Sequence, residues 1–106
     1  MQSTSRPLAI VTGGSRGLGF ESAKALALQG FDIALVAKDS ARLAAAAEAI
    51  RDAYTQQSGD STLHISTFIC DLEQPQQVRE TIDAMMQSLP VPQVLMLAHG
   101  VMSEKM

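Results

Sequence analysis

The sequence predicts an α/β domain built on a doubly wound parallel sheet, and three observations predict it. Four short apolar runs recur along the chain. Between them lie three stretches whose apolar residues repeat at helical spacing. A glycine cluster follows the first run directly. Short apolar strands alternating with amphipathic helices make a parallel sheet covered on both faces. The order reads β-α-β-α-β-α-β, and right-handed crossovers give the spatial strand order 3-2-1-4. Ligands of such sheets bind beyond the carboxyl ends of the strands, where the strand order reverses, here between strands 1 and 4.

Residues 1–7 are polar and read as a frayed, disordered N-terminus, and residues 8–106 carry the domain. Leu8-Ala9-Ile10-Val11-Thr12 is the first buried strand, ended by Gly13-Gly14. Leu18, Ala23, Leu26 and Ala27 then recur at helical spacing, and Gly30 closes that helix as a C-terminal glycine does. Ile33, Leu35 and Val36 form a second strand between Phe31 and Ala37. Asp39 and Ser40 are good caps for a second helix, striped by Leu43, Ala46, Ala47, Ile50 and Ala53 and running to about Gln57. Ser58-Gly59-Asp60-Ser61 is a loop, and Leu63 to Cys70 is the third strand. Pro75 suits the first turn of a helix whose face carries Val78, Ile82, Met85 and Leu89. Pro90 and Pro92 stop it, and Val94-Leu95-Met96-Leu97-Ala98 is the fourth strand, closed by His99-Gly100.

Composition bounds the function. The 106 residues are 46% hydrophobic and 18% charged, a globular profile. A net charge of -3 argues against a nucleic-acid surface, which needs a positive excess to replace counterions. One cysteine excludes an internal disulfide framework. Cys70 reads as a small core hydrophobe, and His64, Cys70 and His99 lack a metal-ligand spacing, so no metal is expected. No apolar run is long enough to span a bilayer, and the N-terminus lacks a signal-peptide core. A reduced, cytoplasmic setting without membrane contact is the expectation.

Thr12-Gly13-Gly14-Ser15-Arg16-Gly17-Leu18-Gly19 is the most informative stretch. It ends a strand and opens a helix. Glycines there let the backbone turn sharply and come close to a phosphate, while the helix N-terminus offers free N–H groups and partial positive charge. A P-loop would need a lysine after its last glycine, but Phe20-Glu21 follow Gly19, which argues against an NTPase. The pattern T-G-x-x-x-G-x-G instead resembles the nucleotide loop of the short-chain dehydrogenase/reductase family. Asp71, just after the third strand, matches that family's aspartate near the adenine ring. Val94 to Gly100 resembles its fourth strand and its Asn-Asn-Ala-Gly motif. The likeness runs from Pro7 onward, and the opening looks like many 3-oxoacyl-carrier-protein reductase-type members.

The resemblance implies a Rossmann-like fold and a nicotinamide dinucleotide. Gly13, Ser15, Gly17, Leu18 and Gly19 would then hold the pyrophosphate, Asp71 with Leu72 the adenine, and Ala98 with Gly100 the ribose side. The departure is Leu97-Ala98-His99-Gly100, which keeps only the last glycine of the motif. Asparagine hydrogen bonds are lost there, and His99 reads as a tolerated substitution. NAD-specific members usually place an acidic residue at the end of the second strand. Here that place falls at neutral Ala37, followed by Lys38. Arg16 stands where NADP-preferring members carry a cation. Both cations point to NADP(H) as the preferred cofactor, with NAD(H) as the second option. Asp39 is the counterargument, and it is read as the helix cap.

The resemblance also implies carbonyl reduction or alcohol oxidation by hydride transfer. The family's acid–base pair, Tyr-x-x-x-Lys, and its carbonyl-polarising serine lie beyond the fourth strand. Members are more than twice as long as this chain. Its only tyrosine, Tyr54, is followed four residues on by Ser58 and lies on the second helix, so it is not catalytic. No catalytic residue is therefore assigned, and enzyme activity of the chain itself stays open. The expectation is the truncated N-terminal, cofactor-binding part of an oxidoreductase, incomplete as a sheet and oligomeric if full length. The alternative is a non-catalytic half-domain that binds a nucleotide or a partner.

Overall fold

A computed structural model describes residues 6–13, 17–59 and 62–97, with the Leu97 side chain left aside. Strands β1 (Leu8–Thr12), β2 (Asp32–Ala37), β3 (Ile65–Ile69) and β4 (Val94–Leu97) alternate with helices α1 (Gly17–Leu28), α2 (Ser40–Ser58) and α3 (Pro75–Ser88). The described strands form one parallel sheet in the order β3-β2-β1-β4. Both the fold class and the strand order agree with the sequence reading. β1 coincides with its apolar run, β2 and β3 are slightly shorter than theirs, the ordinary uncertainty of element ends, and Ala98, assigned to the fourth strand, lies outside the described residues.

Every residue of β1 is buried, as a central parallel strand requires. Ala9 and Val11 join Ile33 and Leu35 against α1 and α2, with Leu43, Ala46 and Ile50. Leu8 and Ile10 join Ala34 and Val36 on the other face, toward Val78, Met85 and Leu89 at α3 and its end. The two faces are packed unequally. On the first, α1 buries only small residues, Gly19, Ala23 and Ala27, so its backbone lies close to the strands. Leu18, placed in the apolar stripe by its spacing, is instead 76% exposed. A helix that approaches this closely leaves no room for it. On the second face α3 has no fully buried residue. A cavity of about 500 Å³ lies there, lined among others by Ile10, Val36, Cys70, Val78, Ile82 and Met86.

Helix ends follow their chemistry. The Asp39 side chain accepts a hydrogen bond from the Arg42 backbone N–H, so Asp39 caps α2 as read from the sequence. Gly59, with φ of 78°, ends it by donating to the Thr55 carbonyl at 2.8 Å.

Arg6 belongs by sequence to the frayed N-terminus, yet it clasps the amino end of the sheet. Its Nε lies 2.7 Å from Asp32 Oδ1, one terminal nitrogen donates to Tyr54 Oη at 3.1 Å, and the guanidinium carbon stands 5.3 Å from the centre of that ring. Asp32 Oδ1 also accepts from the His64 backbone N–H at 3.1 Å. One carboxylate thus ties the starts of β1, β2 and β3 together. Burial lowers the Arg6 pKa, but its hydrogen bonds to Tyr54 and Asp32 outweigh this and raise it. Tyr54 is here a buried anchor at the amino-terminal rim.

Asp32→Ala should destabilise the fold by about 2 kcal/mol, since it removes two bonds, one from a charged donor. The urea midpoint should fall with an unchanged slope. Gly17 has φ of +64°, and among the described residues no atom beyond its chain neighbours and its own helix backbone lies within 4 Å of the place a Cβ would take, so Gly17→Ala meets backbone strain rather than a clash with them. It should cost about 1–2 kcal/mol, and Gly17→Asn should cost less, because asparagine tolerates that conformation. Equal thermal shifts for the two variants would refute the strain argument.

Candidate functional site

In parallel strands the carboxyl ends share one rim, and register decides what meets there. Thr12 of β1 is level with Val36 of β2 and Leu97 of β4, and Ala37 of β2 is level with Ile69 of β3. The residues just past these positions therefore share the rim: Gly13, Lys38, and Asp71 with Leu72. The ladder continues past the strands. Gly13 N–H donates to the Val36 carbonyl at 2.7 Å, and Cys70 N–H donates to the Ala37 carbonyl at 2.9 Å. Thr12 is buried, and its hydroxyl donates to the Met96 carbonyl at 3.3 Å, tying β1 to β4 below the rim.

Gly13 turns the chain with φ of 70°. A side chain there would be forced into the left-handed region, so glycine is the residue for the turn. Gly17 opens α1, and the first turn of α1 holds no acidic residue. The helix start thus presents backbone N–H groups and a partial positive charge with no acidic residue in its own first turn, which suits a phosphate group. Gly19 is buried against the sheet. Leu18 is exposed at the helix start. Ser15, Arg16, Ala98, His99 and Gly100 lie outside the described residues.

The two charges that follow β2 are placed differently. Lys38 is exposed and makes no ion pair with the described residues. Asp39, the residue whose charge would oppose a bound anion, is occupied twice. Its Oδ1 accepts from the Arg42 N–H at 3.1 Å, and its Oδ2 lies 3.4 Å from Arg42 Nε. Arg42 was missed by sequence reasoning. Its only signal was its place three residues after a cap, in the first turn of α2. Asp71 is half-buried, with Oδ1 accepting from the Glu73 N–H at 3.0 Å. Leu72 is half-buried and packs on the second core face. Among the described residues no cluster of histidine, cysteine or acidic side chains could hold a metal ion. No described helix is long and apolar enough to cross a membrane.

Solved structures share this fold. A short-chain oxidoreductase from Pseudomonas aeruginosa PAO1, described as NADPH-bound with an atypical catalytic center, is 30% identical with a TM-score of 0.71. The match covers 84% of this chain and 32% of that one. L-Sorbose reductase from Gluconobacter frateurii, complexed with NADPH and L-sorbose, is 25% identical with a TM-score of 0.75, over 96% of this chain and 36% of that one. Menthone neomenthol reductase from Mentha piperita is 26% identical with a TM-score of 0.76, over 92% of this chain and 33% of that one. The chain thus spans about a third of the length of these structures. No curated protein matches the sequence. The family model for short chain dehydrogenase matches residues 7–106, and the chain belongs to that family.

Proposed function

We propose that this chain is the N-terminal, cofactor-binding part of an NADP(H)-dependent short-chain oxidoreductase. One observation carries the reading. The glycine turn, the start of α1, Lys38 and Asp71 all come from different segments and meet on one rim of the sheet. Backbone N–H groups around Gly13, Ser15, Gly17, Leu18 and Gly19 would hold the pyrophosphate. Leu18 exposes its side chain, so its backbone would serve there. Lys38 and Arg16 would pair with the 2′-phosphate, and Asp39, already paired with Arg42, adds little repulsion. Asp71 and Leu72 would flank the adenine, while Ala98 and Gly100 would line the ribose side. NADPH complexes among the similar structures support the choice of cofactor.

The bound cofactor would supply hydride chemistry at a carbonyl or alcohol carbon. This chain's own residues would bind and orient it. No tyrosine–lysine pair for proton transfer occurs in the sequence, so catalytic residues are assigned to none of its positions. A 3-oxoacyl-carrier-protein reductase-type activity, a cytoplasmic setting and an oligomer belong to the same proposal for the whole protein.

Titration of the protein with NADPH and NADH tests this reading. Saturable binding with NADPH preferred is the expected result. A hydrogen bond to a charged group contributes about 1.5–3 kcal/mol, and exposure of Lys38 favours the low end. Lys38→Ala should weaken NADPH binding by about tenfold and NADH binding by less than about twofold. Equal losses for both would reject the assignment of Lys38, and no saturable binding would reject the site.

A further inference from the structure

The loop that carries Asp71 joins β3 to α3, and it is fastened at both ends. On the strand side, Cys70 N–H donates to the Ala37 carbonyl. Within the loop, Glu73 N–H donates to Asp71 Oδ1 and Gln74 N–H donates to the Asp71 carbonyl at 2.9 Å. These bonds are local to the turn. One further bond reaches into the helix: Asp71 N–H donates to Gln77 Oε1 at 3.0 Å.

The chemistry of the helix start explains that bond. Gln74 occupies the cap position, with Pro75 in the first turn, and its side chain makes no capping bond. Gln77 is the third helical residue. In a capping box, a glutamine or glutamate at this place returns to the backbone N–H of the cap residue. Here the Gln77 amide oxygen reaches three residues further back, to Asp71. Gln77 is exposed, so neither burial nor core packing accounts for this conformation. Among the described residues, Asp71 Oδ2 has no hydrogen-bond partner, which leaves one acceptor oxygen available.

We propose that Gln77 is a positioning residue for recognition of the cofactor's base: it fixes the Asp71 backbone so that the free carboxylate oxygen selects an exocyclic amine. The inference rests on the reading of Asp71 given under the proposed function. The carboxylate accepts from the amine of adenine. Hypoxanthine carries a keto oxygen at that place and offers an acceptor to an acceptor. Without Gln77 the Asp71 N–H loses its partner, the turn relaxes, and the distinction between the two bases fades.

The test uses the protein with NADPH and with its hypoxanthine analogue. The wild-type chain should bind the adenine form about tenfold tighter, the size of one hydrogen bond to a charged group at an exposed rim. Gln77→Ala and Gln77→Leu should reduce that ratio to below about twofold and speed amide hydrogen exchange at Asp71. Gln77→Glu should restore both, because its carboxylate accepts the same N–H. A wild-type preference that survives in Gln77→Ala overturns the inference and leaves the site reading intact. So does an equal loss of both dinucleotides, which would mark Gln77 as merely structural. A wild-type chain that binds neither form overturns the site reading, and the inference with it.

Discussion

The ladder between β1 and β2 is the constraint on which the rest of the structure depends. Parallel strands gain their hydrogen bonds only in a fixed register, and burial on both faces permits no slip. Leu8 pairs with Asp32 and Thr12 with Val36. That register brings the end of β1 level with the end of β2. It therefore decides that the glycine turn after one strand and the lysine after the other lie on the same rim. β4 and β3 then add at either side, each in register with its neighbour. A shift by one residue would turn Ala9 and Val11 away from α1 and α2.

The two faces of the sheet solve their packing differently. Toward α1, small residues on the helix meet branched residues on the strands and the backbones approach closely, while α2 buries the larger Leu43, Ile50 and Tyr54 on the same face. Toward α3, the strands offer Ile10 and Val36, but the helix stands off and a cavity remains. Ile82, Met86, Val91 and Leu95 are exposed around that face. Deep burial is what drives helix formation in water, since isolated helices of this length are marginal. On that ground α1 and α2 are firmly determined, whereas α3 relies on Val78, Met85, Leu89 and on the bonds at its first turn.

The sheet and its order were legible in the sequence because strand and helix periods differ sharply, and each element is bounded by Gly, Pro or a capping side chain. The Asp39 cap was legible for the same local reason. The candidate site was legible in its positions along the chain, from Gly13 to Asp71, through spacing that resembles one family. What stayed hidden was long-range. Nothing local pairs Arg6 with Asp32 and Tyr54, which are 26 and 48 residues away. Leu18 matched a helical stripe by spacing, yet Gly19 took the buried place. Apolar spacing names a face, but the approach distance of the helix decides which residue fits. Gln77 showed no signal beyond being the third residue after a weak cap.

The arrangement separates the ion-paired clasp from the candidate site along the strands. The charged clasp of Arg6, Asp32 and the His64 backbone sits where the strands begin. The glycines, Lys38 and Asp71 sit where they end. A parallel sheet makes this division natural, because all amino ends lie on one rim and all carboxyl ends on the other. Gly13 and Gly17 take left-handed backbone on the second rim, where only glycine adopts it without strain, while ion pairing secures the first. The strands are the shortest covalent routes between the rims, and β1 and β2 are buried almost throughout. Their rigidity is what would let loops of different origin present backbone N–H groups and charges to one ligand in a fixed geometry.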